Sequence, residues 1–219
     1  MLHKETIPPF LGKTLDDLMK IRELSNFLLV GGTALSLLLG HRRSIDIDLF
    51  EPNYNTGAEL VPILRKYYPG IRISDIGFGI SMYIPIPDSD KKLKVDICSN
   101  ETFIRPYLLS DGIRIAHIED IAAMKLEAIT TRFEKKDYWD IAEILERYSL
   151  KDITEFYMER YPYNDLADVM GRLTQYDKCN EQPDPDCLNG KTWENVKNKL
   201  SYAFDNYISQ ELDDNISQG

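Results

Sequence analysis

Residues 31–50 read GGTALSLLLGHRRSIDIDLF, and this stretch decides the fold. Ile45-Asp46-Ile47-Asp48-Leu49 alternates apolar and acidic residues, the period of a half-buried strand. On such a strand Asp46 and Asp48 share one face, while Ile45, Ile47 and Leu49 pack on the other. Two carboxylates this close repel each other unless a cation lies between them. Mg2+ suits the pattern, because it takes oxygen ligands and is usually held by one or two carboxylates plus substrate phosphates. Upstream, Gly31-Gly32-Thr33 separates a short apolar run, residues 27–30, from a Leu- and Ala-rich segment, residues 33–39. The order reads as strand, turn and buried helix. Glycines at that turn let the backbone come close to phosphate oxygens. The first turn of the helix then offers free N–H groups and a positive dipole end. Gly40 fits the left-handed cap that ends the helix.

Outward from this segment, residues 15–26 and 59–68 have helical spacing. Residues 71–76 and 79–86 read as two strands joined by a glycine-containing turn, and residues 93–98 alternate as another strand. That last strand supplies a third carboxylate, Asp96, on the same face as Lys94 and Lys92. Beside Asp46 and Asp48, Asp96 would complete a site for two metals that aligns an attacking hydroxyl with an α-phosphate and stabilises leaving pyrophosphate. Asp96 is then suited to take the hydroxyl proton. Each piece alone has a plainer reading: an Asp-x-Asp strand as a solvated face, Gly-Gly as a simple turn. The combination, in this order, carries the specificity.

A second signal lies in residues 118–132 and 137–148, two helices by spacing. Lys125 falls on the apolar stripe of Ile118, Ile121, Ala122 and Ile129, with Arg132 two turns further along. A lysine is rarely buried without a partner. A nucleotide phosphate would serve, as would Asp137, which with Asp140 continues the stripe of Ile141, Ile144, Leu145 and Tyr148. The plainer alternatives are a Lys–Asp pair that only ties two helices together, or a Lys125 that snorkels to solvent. The remainder is mostly helical, broken by a loop at 180–186. Trp193 is expected to pack a final helix capped by Thr192. Tyr157, Tyr161, Tyr163 and Tyr176 are expected as core or inter-helix contacts. The pattern is α+β: an α/β core over 1–116 with a mixed sheet, then a helical bundle over 117–219.

The net charge is −10, and residues 151–219 carry 7 Lys/Arg against 14 Asp/Glu, so a broad basic surface is excluded. Local basic clusters at Arg42-Arg43, at Lys91, Lys92 and Lys94, and at Arg132, Lys135 and Lys136 leave room for a focused basic cleft. Three cysteines, Cys98, Cys179 and Cys187, do not make a disulfide framework, and Cys98 reads as a small core residue. No apolar run reaches the length of a membrane span, and the opening MLHKETIPPF lacks a signal-peptide pattern. A cytoplasmic protein with no membrane partner, monomeric rather than oligomeric, is the expectation.

The order Gly-Gly-Thr, helix, Asp-x-Asp strand resembles the polymerase-β-like nucleotidyltransferases. The wording GGTAL…GHRxSxDxD is similar to the AbiEii/AbiGii toxin family, whose relatives include the MenT-type toxins. The matching residues are Gly31, Gly32, Thr33, Gly40, His41, Arg42, Ser44, Asp46 and Asp48, with Asp96 as the third carboxylate. KLEAITTRFEKKDYWDI looks like the family's Lys…Arg…Lys/Arg-Asp-x-x-Asp motif, through Lys125, Arg132, Lys136, Asp137 and Asp140. DPD…GKTWENVKNKL looks like its usual ending. The resemblance implies a polymerase-β-like core and a helical domain contributing Lys125 and Asp137 to the same cleft. It implies Mg2+ or Mn2+ on Asp46, Asp48 and Asp96, and NTP contacts from Gly31, Gly32, Thr33, Arg42, Ser44, Lys125 and Arg132. The reaction implied is NMP transfer to a hydroxyl, a tRNA 3′ end by resemblance, in a toxin of phage defence. Its antitoxin would be encoded beside it and need not contact it. Transfer to a protein or small molecule, and a nucleotide-binding module without catalysis, stand as the other readings.

Overall fold

The computed structural model describes residues 1–52, 57–77, 79–99 and 101–217. The chain divides into two compact units, Met1–Ile118 and Glu119–Gly219.

The first unit is built on a seven-stranded mixed sheet. Its strands are β1 (Leu28–Val30), β2 (Ile47–Phe50), β3 (Ile73–Asp75), β4 (Gly79–Pro85), β5 (Lys92–Cys98), β6 (Leu108–Ser110) and β7 (Ile113–Ile115), in the order β3-β4-β5-β2-β1-β7-β6. β2 runs antiparallel to β1 and parallel to β5. The helices of this unit are α1 (Pro9–Lys20), α2 (Gly31–Leu39) and α3 (Gly57–Tyr67). Strand alternation sorts the central sheet into two faces. Ile47, Leu49, Val95, Ile97, Ile80 and Met82 are buried on one, and Asp48, Asp96 and Ser81 are half-buried on the other. Burying six such side chains contributes roughly 1.5–3 kcal/mol each, which anchors the strands that present the acids.

Three expectations need correction here. α1 begins at Pro9 rather than at residue 15. Proline at the first helical position has the right φ, and its missing N–H would have had no partner there. β2 begins at Ile47, so Ile45 is outside the ladder and 67% exposed instead of packing with Ile47 and Leu49. Asp46 also precedes the ladder, so alternation does not set its direction. The β6–β7 hairpin was not anticipated. Its turn is Asp111-Gly112, with φ of 52° and 79°, the positive pair that a two-residue hairpin turn requires.

The second unit contains α4 (Ile118–Thr131), α5 (Lys135–Ile144), α6 (Leu150–Arg160), α7 (Leu166–Leu173) and α8 (Trp193–Ser217). Thr192 caps α8: its Oγ1 accepts from Asn195 N at 3.2 Å, while Asn195 Oδ1 accepts from Thr192 N at 2.9 Å. Trp193 stacks on the buried Trp139 of α5 at 6.3 Å, as expected of a packing residue. Lys135 is buried and donates from Nζ to Asn180 O at 3.1 Å and Asp184 Oδ1 at 2.9 Å, which fixes the loop at 180–186. Arg160 and Asp120, both fully buried, pair at 3.0 Å and tie α6 to α4. Tyr157 is buried and Tyr176 meets Tyr138 and Trp193 edge-on, but Tyr163 is 99% exposed and packs on nothing. It follows the end of α6 in a polar turn, where no apolar neighbour covers it. Among the described residues no helix is long and apolar enough to cross a membrane.

Candidate active site

Gly31 opens α2 with φ of +68°, and a Cβ there would lie 2.6 Å from Asp48 Oδ2. Only glycine allows both the left-handed backbone and the close approach. The carboxylate of Asp48 therefore lies against the first turn of α2, where unpaired N–H groups and the helix dipole favour an anion. Gly32 is constrained by close approach alone: a Cβ there would be 2.5 Å from Arg42 Nη2 and 3.5 Å from Ser44 Oγ. The Arg42 guanidinium thus packs onto the backbone of the turn, and its Nη1 donates to Arg43 O at 3.0 Å.

Thr33 is buried, and its Oγ1 contacts both Ser44 Oγ, at 2.8 Å, and the carbonyl of Asp46. A carbonyl can only accept, so Thr33 donates to Asp46 O and its oxygen accepts from Ser44. Thr33 and Ser44 hold the chain that leads into β2, and Ser44 N donates to Thr6 O at 3.0 Å to secure the loop from outside. Their hydroxyls are engaged with this loop, and Asp46 stands at its end, half-buried.

The ladder brings the other acids together. Asp48 in β2 pairs one-to-one with Asp96 in β5, and Asp96 pairs with Ser81 in β4. Residues directly opposite one another share a face, so Asp48, Asp96 and Ser81 form a row across three strands. Lys94, two residues before Asp96 on the same face, places Nζ 2.6 Å from Asp96 Oδ2. That hydrogen bond, helped by the charges of Asp96 and Asp48, raises the Lys94 pKa above its ordinary value against the opposing effect of burial. Cys98 ends the same strand. Burial first, then the charges of Asp96 and Asp48, push its thiol up to about 12, so it stays a protonated core residue.

A divalent cation fits this row on two observations. The donors are hard oxygens in register, and Asp96 Oδ1 is buried with no hydrogen-bond partner among the described residues. A buried polar atom left unpaired calls for a partner from outside the chain. Ser81 Oγ, opposite Asp96, shares that condition. Among the described residues no three His, Cys, Asp or Glu side chains converge into a ready-made metal cage. The chain offers a carboxylate pair, which suits an ion that keeps its other positions for substrate oxygens.

In the second unit, Lys125 is buried and pairs with Asp137 Oδ1 at 2.8 Å and Asp140 Oδ2 at 2.7 Å. It does not snorkel. Arg132 closes the cluster, donating from Nε to Asp137 Oδ2 at 2.8 Å and from Nη2 to Oδ1 at 3.2 Å. Burial alone would raise the Asp137 carboxyl. Lys125 and Arg132 outweigh it and hold the pKa below the ordinary range. Asp137 is fully enclosed, whereas the Arg132 side chain is about half exposed.

Sequence reasoning placed Lys94 on the face of Asp96, and the structure bonds the two. The same reasoning passed over one member of the row. Ser81 carries no local signal at all, since only the β4–β5 register sets it against Asp96.

This architecture has relatives. A Helicobacter pylori protein described as a nucleotidyltransferase shares the fold with a TM-score of 0.57 at 20% identity, covering 97% of this chain and 95% of that one. MenT4, a nucleotidyltransferase toxin of Mycobacterium tuberculosis, aligns with a TM-score of 0.52 at 13% identity, over 90% of this chain and 83% of its own. By sequence, an uncharacterised protein of Aquifex aeolicus is 24% identical over 212 residues, which is 90% of this chain and 95% of that protein. The fold is that of the polymerase-β-like nucleotidyltransferases. The family model of the nucleotidyl transferase AbiEii toxin, of type IV toxin–antitoxin systems, matches residues 13–177. With its glycine turn, its paired strand acids and that match over most of its length, the chain belongs to the AbiEii nucleotidyltransferase toxin family.

Proposed function

We propose that the protein transfers a nucleoside monophosphate from an NTP to the 3′ end of a tRNA, using Mg2+ or Mn2+ held by Asp48 and Asp96 with Asp46 as a further ligand. The observation that carries the reading is the register pair Asp48–Asp96, with one buried carboxylate oxygen of Asp96 awaiting a partner. In the step, the acceptor oxygen bonds to the α-phosphorus and the bond from that phosphorus to the bridging oxygen breaks. Pyrophosphate leaves with the electron pair, and the acceptor proton passes to Asp96 and on to solvent. The cation, when bound, supplies charge stabilisation at the α-phosphate and the departing pyrophosphate. The first-turn N–H groups of α2, exposed by Gly31 and Gly32, cradle the triphosphate. Arg42, packed on Gly32, adds a fixed positive charge. Thr33 and Ser44 act as positioning residues, because their hydroxyls secure the loop that carries Asp46. Lys125, Arg132 and Asp137 are assigned to nucleotide handling on the family pattern. The biological role is growth arrest in phage defence, in the cytoplasm, as a monomer, with an antitoxin encoded nearby whose contact is not required.

A second reading keeps the chemistry and changes the acceptor to a protein or a small molecule. It is favoured by residues 151–219, whose 14 acidic against 7 basic side chains repel a polyanion. One assay separates the two. The protein is incubated with each α-32P NTP, Mg2+ and total bacterial tRNA, beside Asp48→Ala. Label entering tRNA with the wild type alone supports the first reading. Label entering added protein or small-molecule acceptors but not tRNA supports the second, and Asp48→Ala that still turns over removes the metal assignment.

A further inference from the structure

Lys94 brings a cation of the chain's own to the carboxylate pair. Its ammonium sits 2.6 Å from Asp96 Oδ2, a short charge-assisted contact, on the same face of β5 and two residues away. The Lys94 side chain is 42% exposed and that of Asp96 20%, so the ammonium reaches inward on a flexible stem from the rim. In β2, Asp48 stands opposite Asp96, and its charge also acts on Lys94. A bare divalent ion approaching the free Oδ1 meets a positive charge a few ångströms away, on the other oxygen of the same carboxylate. A triphosphate alters that balance, because its negative charge offers the ammonium another partner just as the cation arrives.

We infer that Lys94 is a resident countercharge that couples metal loading to nucleotide loading: it holds Asp96 until an NTP draws it off, so that cation and triphosphate bind together rather than singly. This rests on Asp48 and Asp96 being the metal pair. The competing role is scaffolding, in which Lys94 only orients the Asp96 carboxylate. Scaffolding makes the opposite forecast, since removing the lysine would then weaken the metal whether or not nucleotide is present.

The test uses the full chain and Mn2+ as the probe, with free Mn2+ read by electron paramagnetic resonance, with and without a non-hydrolysable α,β-methylene NTP. In the wild type the nucleotide should tighten Mn2+ on the order of tenfold, a usual size for coupling between sites. Lys94→Gln should tighten Mn2+ about three- to tenfold without nucleotide and shrink the nucleotide's effect correspondingly. Lys94→Arg, which keeps the charge, should stay near wild type. Unchanged or weaker Mn2+ binding by Lys94→Gln in the absence of nucleotide overturns the inference while leaving the carboxylate site in place. Asp48→Asn is the control for that site. If it binds Mn2+ as well as the wild type, the metal pair itself is wrong and the coupling falls with it.

Discussion

Asp48 and Asp96 stand directly opposite each other across the parallel pair β2–β5, two acids in the one register position where neither can turn to the buried face. Like charges in this arrangement destabilise a sheet. Asp48→Asn is therefore expected to leave the melting temperature unchanged or raised in metal-free buffer, and to lower NMP transfer by at least about a hundredfold. Calorimetry and the labelling assay on the same preparation check both halves. A large drop in melting temperature would mean that Asp48 serves the fold instead.

Gly31 offers a test that owes nothing to charge. Its φ of +68° and the 2.6 Å clearance to Asp48 Oδ2 leave no room for a methyl group. Gly31→Ala should cost about 1–3 kcal/mol through strain at a left-handed backbone, and should displace the Asp48 carboxylate. Urea unfolding gives the first quantity. Mn2+ affinity gives the second, and Gly70→Ala is the comparison, a positive-φ glycine whose added Cβ would meet nothing.

Lys125 is the hub of the second unit, with Asp137 and Asp140 both within 2.8 Å. Removing one member of a buried ion pair leaves uncompensated charge and costs roughly 3–5 kcal/mol. Lys125→Met should lose stability on that scale in denaturant titrations. Activity measured well below its melting temperature then separates the roles. Transfer within about twofold of wild type would reduce Lys125 to a structural tie.

The acid limb of stability should report Asp137. Its folded pKa lies below the ordinary carboxyl value of 3.8. A depressed group contributes stability that is fully present above the unfolded pKa and is lost as pH falls through the folded one. The contribution is thus intact at neutral pH, begins to fall near pH 3.8 and is lost only as pH drops on through the lower folded value. Urea midpoints between pH 6 and pH 3 should fall more steeply for the wild type than for Asp137→Asn. Parallel curves would show that another carboxylate dominates.

The sequence by itself determined a good deal. Alternation in 45–50 and 93–98 placed Asp48 and Asp96 on strands, because a period of two admits only one apolar face. Gly-Gly before a Leu-rich segment marked the strand-to-helix turn, and Lys125 on an apolar stripe demanded a partner. Those are local patterns, and each was legible from neighbours within four residues.

What spacing left open was settled by packing. Lys125 could have met phosphate, carboxylate or solvent, and only the placement of α5 beside α4 gave it Asp137 and Asp140 together. Strand ends depend on which partner strand lies alongside, so Ile45 and Asp46 fell outside β2 although the alternation runs through them. Register acts between segments dozens of residues apart. Ser81 therefore joined Asp96, and Asp48 met Asp96, by a relation that no local pattern encodes. The acids, and the lysine two residues before one of them, were written in the sequence; the opposition of the acids came from the tertiary structure because hydrogen-bond register is a property of strand pairs and not of strands.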